Sequence, residues 1–221
     1  MAAGVLTFGS MTILLSDPLV RAVPVVECGE PLVTLPAGLA SAGVRVRAGL
    51  ARRLEAADRA LPRGIRLRVV EGVRPVERQR DIIASYNAEL LALDPSLGHH
   101  DLARLSSRFV APVDVAPHVA GAAVDLTLVD VCGDELDMGT AIDATPEDSD
   151  GRCWFAADGI GADARAHRSL MATVLGEQGL VNYPTEWWHW SFGDRYWALV
   201  TGASHAVYGP VQSPVLDAVT R

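Results

Sequence analysis

From Ala122 to Val129 the chain reads Ala-Ala-Val-Asp-Leu-Thr-Leu-Val, an apolar stretch interrupted by a single carboxylate. Its length and composition predict a buried strand. Asp125 is costly inside such a strand unless it is paired, hydrogen-bonded or bound to a metal. His118 lies seven residues upstream, and Gly121 between them gives the backbone freedom to curl so that both side chains face one point. Taken alone, the pair can equally be a hydrogen-bonded core Asp beside a satisfied histidine.

The surrounding pattern places that strand in one α+β domain. The 221 residues suit a single domain, and there is no internal repeat, charge block or low-complexity linker to divide them. Residues 44–61 space Val46, Leu50, Leu54, Ala57 and Leu61 three or four apart, which predicts an amphipathic helix ended by Pro62 and Gly64. Ile65 to Val73 alternates like a strand, and a helix follows from Pro75 to Leu93. Residues 98–117 read as irregular, 134–158 as a polar loop, and 162–178 as a helix ended by Gly179. Gly193-Asp194, between the apolar runs 187–192 and 196–200, reads as a hairpin turn. The expected architecture is a central antiparallel sheet with flanking helices. Residues 1–15 form a poorly defined leading segment and 16–221 the domain.

A net charge of -8 lacks the basic footprint that phosphate backbones require, so a nucleic-acid partner is not expected. The uncharged run 196–216 is broken by glycines and prolines and is not a membrane span. Residues 1–16 carry no basic region and no clear cleavage site, so no secretory signal is expected, and Met11 could itself be the start. Cys28, Cys132 and Cys153 are scattered and odd in number, which fits free thiols in a reducing cytosol better than disulfides or a cysteine zinc site.

A second chemically dense segment is Glu186-Trp187-Trp188-His189-Trp190. Three tryptophans in five residues mark an apolar wall. On a regular strand Glu186 and His189 would face opposite ways, so joint action requires a bend, which Pro184 makes available. The alternative is an aromatic core segment with a solvated Glu186.

Together the two segments supply two imidazoles, one carboxylate ligand and one spare carboxylate. That set matches a catalytic zinc with three protein ligands, an open fourth position and a free base. Such a metal lowers the pKa of a bound water to about 7. A neighbouring carboxylate moving the proton is typically worth about 10²–10⁴ in rate.

At these residues the sequence resembles a known family. His118 to Asp125, the Glu186-to-His189 box and Gly72-Val73-Arg74-Pro75 resemble the S-x-H-x-x-G-x-A-x-D, E-x-W-H and G-Y-R-P motifs of the D-alanyl-D-alanine dipeptidases linked to vancomycin resistance, which are zinc metallopeptidases. The resemblance spans about residues 16–208. It implies a fold of the hedgehog/DD-peptidase type, with His118, Asp125 and His189 as ligands of one zinc ion and Glu186 as catalytic base. It also implies Arg74 on the oxyanion and, from Met138-Gly139-Thr140-Ala141-Ile142-Asp143, Asp143 on the free amine of a small D,D-dipeptide. Four positions depart from the pattern. Ala116 stands where the family has serine, Val119-Ala120 replace often polar residues, and Val73 replaces the tyrosine. The implied activity is cytoplasmic hydrolysis of D-alanyl-D-alanine or a similar dipeptide. The rivals are a D,D-carboxypeptidase acting on longer peptidoglycan stems, a non-catalytic zinc-binding module, and a hydrolase tailoring an unusual metabolite. His99, His100, His167 and His205 read as surface residues, and Cys132 and Cys153 as inert.

Overall fold

The expected strand forms the spine of the molecule. In the computed structural model, which describes residues 12–211, Ala123–Val129 (the fourth strand, β4) is buried at every position. It lies second in a four-stranded antiparallel sheet. Its neighbours are β3 (Arg66–Glu71) on one side and β6 (His189–Ser191) on the other, with β5 (Val181–Asn182) outermost beyond β6. Alternation along β4 sends Val124, Leu126 and Leu128 into the main core. There they meet Leu50 and Leu54 of α2 (Ala48–Ala60) and Met171 and Leu175 of α5 (Ala162–Glu177). Asp125 and Thr127 point to the other face.

Two further strands, β1 (Leu32–Thr34) and β2 (Arg45–Arg47), make a separate antiparallel pair. β2 runs straight into α2, so Val46 belongs to a strand and the helix expected from residue 44 begins at Ala48. The spacing still looked helical because Val46 enters the same core as Leu50 and Leu54. The strand–turn–helix expected around Pro75 is present, with α3 spanning Val76–Leu93. Residues 98–117 are not wholly irregular: α4 (His99–Ser106) packs Leu102 and Leu105 against Tyr86 and Leu90 of α3. Its exposed face is so rich in His, Asp and Arg that the short apolar stripe does not stand out in the sequence.

The expected terminal hairpin is replaced by a helix. The Asp194 carboxylate accepts the backbone N–H groups of Tyr196 and Trp197, capping α6 (Arg195–Thr201). β6 pairs instead with β4 and β5. Near the other end, α1 (Pro18–Ala22) starts on Asp17, and Leu15 just before it is 3% exposed. Residues 1–11, including Met11, and residues 212–216 of the uncharged run lie outside the described residues. Among the described residues, no helix is long and apolar enough to cross a membrane.

Candidate active site

Sheet register brings the first groups together. Glu71 on β3 sits opposite Asp125 on β4, and Asp125 sits opposite His189 on β6. Residues directly opposite in an antiparallel sheet share a face, so these three form one row across three strands. His118 reaches the row from a single 3-10 turn, His118–Ala120, which ends at Gly121 in a left-handed conformation (φ 64°). A Cβ on Gly121 would also come within 2.6 Å of Leu32. The bend expected of this glycine is therefore both a backbone and a space requirement.

The His118 Nδ1–H donates to the Gly72 carbonyl at 2.8 Å, which fixes the tautomer and leaves Nε2 as a lone-pair donor. That Nε2 lies 3.1 Å from His189 Nδ1 and 3.3 Å from an Asp125 oxygen, and His189 Nδ1 is 3.2 Å from the other Asp125 oxygen. The three potential ligand atoms all fall within 4.8 Å of one another, and all three residues are buried. Gly72 must be glycine for a separate reason. An added Cβ would lie 2.4 Å from the Arg45 carbonyl and 2.9 Å from Val46, because β2 passes directly over it.

The bend before His189 is also present. Residues 183–188 turn rather than extend, with the Glu186 N–H donating to the Tyr183 carbonyl and the His189 N–H to the Glu186 carbonyl. One side chain on β5 holds this turn: the Asn182 amide donates to the carbonyls of Glu186 (2.9 Å) and His189 (3.0 Å). Glu186 Oε2 thereby comes to 3.7 Å from His189 Nδ1. Arg74 follows β3. Its Nε donates to Glu71 at 2.8 Å, Nη2 also pairs with Glu71, and Nη1 donates to Gln79 at 2.9 Å. Nη2 lies 3.6 Å from Asp125.

All six residues singled out from the sequence line one cavity of about 230 Å³. Five are grouped around the row. Asp143 joins from the loop between β4 and α5, where its backbone is left-handed (φ 62°). As a residue Asp143 is exposed, and it lines the cavity wall. Ala116, Tyr183 and Leu15 also contribute wall. His99 and His100 are exposed, as expected. Cys153 is buried and lies outside the cavity wall.

The electrostatics separate the acids. Burial raises the Asp125 pKa, but His118 and His189 outweigh it and hold the carboxyl well below the usual range. Burial holds His189 below its ordinary value, which favours the neutral imidazole that a metal needs. Glu186 goes the other way. Burial first, then the charges of Asp125 and Asp143, push its carboxyl well above the usual range, with Arg74 opposing. Burial, Asp125 and Glu71 push Asp143 up to about 6. Arg74 is raised despite its burial, because Glu71, Asp125 and Glu186 outweigh desolvation.

The sequence reading missed Glu71, Gln79 and Asn182. Glu71 stands three residues before Arg74, a spacing that could have suggested the ion pair. Nothing local marks Gln79, which is 1% exposed and donates to the Ala111 carbonyl at 2.7 Å.

The profile of the D-Ala-D-Ala dipeptidase family (peptidase family M15) matches residues 56–205, which hold every one of these groups. The chain belongs to the D-Ala-D-Ala dipeptidase family. Membership makes it a peptidase. A D-alanyl-D-alanine dipeptidase of Synechocystis sp. is 27% identical over 86% of this chain and 96% of its own length. Another, of Enterococcus faecium, is 32% identical over 35% of this chain and 37% of its own length. Among solved structures, VanYB in complex with D-alanine-D-alanine aligns over 86% of this chain and 95% of its own, with 18% identity and a TM-score of 0.49.

Proposed function

We propose that this family member is a zinc-dependent dipeptidase that splits D-alanyl-D-alanine or a similar small D,D-dipeptide. The observation that carries the reading is the convergence, in one cavity of about 230 Å³, of a buried His-Asp-His set with a spare buried carboxyl, Glu186. The donor set fits zinc: two imidazoles and one carboxylate, with one histidine already oriented by a backbone carbonyl. His118, Asp125 and His189 would hold the ion, which when bound supplies Lewis-acid polarisation of the scissile carbonyl. Glu186, as the carboxylate, takes a proton from the attacking water and returns it to the leaving amine, and a raised pKa strengthens it as that base. Arg74 is pinned by Glu71 and Gln79, so its guanidinium is preorganised to face developing negative charge. Asp143 accepts the substrate ammonium.

Cavity size favours a dipeptide over a longer peptidoglycan stem. Pockets for drug-sized ligands run about 300–1,000 Å³, so this one suits a smaller guest. A cytoplasmic setting goes with that choice, since free dipeptide occurs there and polymerised wall does not. The spare carboxyl argues against a purely structural zinc, which leaves no open position for a base to serve.

The test is metal analysis of the purified protein combined with hydrolysis of D,D-, L,D-, D,L- and L,L-dipeptides, free and N-acetylated. One zinc per chain and cleavage confined to free D,D-dipeptides are expected. Equal rates on free and blocked dipeptides would sink the dipeptidase and promote the carboxypeptidase. A protein that takes up no added zinc would remove the mechanism altogether.

A further inference from the structure

The loop that carries Asp143, residues 138–155, contains neither helix nor strand. Its shape must come from particular bonds, and four of them come from one side chain. Arg168, on α5, is 1% exposed. Its Nε donates to the Met138 carbonyl at 2.8 Å, at the start of the loop. Its two terminal nitrogens donate to the carbonyls of Arg152 (2.9 Å), Trp154 (2.6 Å) and Phe155 (3.2 Å), at the end. One guanidinium thus pins both feet of the loop.

Among the described residues no carboxylate comes within ion-pair distance of Arg168, and burial pulls its pKa down to about 10. A buried charge with no counter-charge is expensive, and an apolar residue could fill core volume at less cost. The planar five-donor fork, matched to four carbonyls at fixed positions, accounts for its presence. The same loop is tied to the Glu186 segment. Trp187 Nε1–H donates to the Thr140 hydroxyl at 2.8 Å, and the Trp187 N–H donates to the Cys153 carbonyl at 3.0 Å.

We infer that Arg168 is a positioning residue for recognition of the substrate amine: by clamping the feet of the 138–155 loop it sets where the Asp143 carboxylate stands relative to the catalytic row. This rests on the reading of Asp143 as the amine-binding group. Arg168 touches no reacting atom, so its loss should fall on KM and amine selectivity more than on kcat.

The experiment compares the parent, Arg168→Lys, Arg168→Ala and Thr140→Val, each loaded with zinc and checked for metal content and melting temperature. Each is assayed on free and N-acetylated D-alanyl-D-alanine. The parent is measured first, and a parent that fails to prefer the free amine overturns the Asp143 reading itself. Given a discriminating parent, Arg168→Lys keeps the charge but cannot span four carbonyls. It is expected to hold its metal yet lose about tenfold or more in the free-to-blocked ratio, mostly through KM. Thr140→Val should lose selectivity in the same direction by less. A folded, metal-loaded Arg168→Lys that keeps the parental ratio overturns the inference, whatever its stability. If Arg168→Ala does not fold, the lysine and Thr140 variants decide alone.

Discussion

Burial and the charges of Asp125 and Asp143 raise the Glu186 pKa, which makes its carboxylate a stronger base than an ordinary glutamate. Glu186→Gln should bind zinc as the parent does and lose about 10² or more in kcat. Metal lost together with activity would make Glu186 a ligand or a structural group instead. Asp143 titrates within reach of assay. With its pKa pushed up to about 6, it is protonated below that pH and cannot pair with an ammonium. Affinity for free dipeptide, read as 1/KM, should therefore fall as pH drops through about 6. Asp143→Asn should lack this limb and show a KM raised about tenfold or more at pH 7, since a charge-assisted bond is lost. For stability the sign is reversed. The fold favours the neutral acid, so its stabilising contribution is complete below the unfolded value of about 3.9 and is lost as pH rises through about 6. A KM that is flat with pH in the parent would remove Asp143 from the amine.

At the scale of elements, the motif glycines record where chain segments cross. Gly72→Ala drives a methyl into the Arg45 carbonyl at the β2–β3 contact, and the same glycine's carbonyl orients His118. The variant should lose about 1–3 kcal/mol of stability in chemical denaturation and bind zinc more weakly. Unchanged stability would mean that β2 yields freely. The strongly patterned elements were legible in the sequence because their own residues dictate them: the apolar run of β4, the apolar stripe of α2 and the strand–proline–helix step into α3. What was not legible depends on partners distant in sequence. Asp194 looks like a turn residue until its carboxylate is seen capping α6. α4 needs α3 to define its apolar side. The metal-ligand candidates were readable because a carboxylate in an apolar strand and a histidine among tryptophans violate local expectation. Glu71, Gln79 and Asn182 violate nothing locally, and their roles emerge only when β3, α3 and β5 come together.

On the scale of the whole molecule, Glu71, Asp125 and His189 stand in one row because three strands keep register, and the strand that delivers His189 is three residues long. A slip of one residue between β6 and β4 would turn His189 to the far face and bring a neighbouring side chain to the cavity. No intermediate register places the imidazole partway, so damage to this pairing counts molecules rather than slowing them. Asn182→Ala removes the amide that ties the 186–189 turn to β5. It should yield a preparation in which a tight-binding inhibitor titrates fewer competent sites per chain, while each competent site keeps the parental KM and turnover. A full complement of sites, each uniformly slower, would instead mean that the row deforms gradually. Should fewer but fully active sites be found, specific activity would report the fraction of chains in which β6 has paired in register.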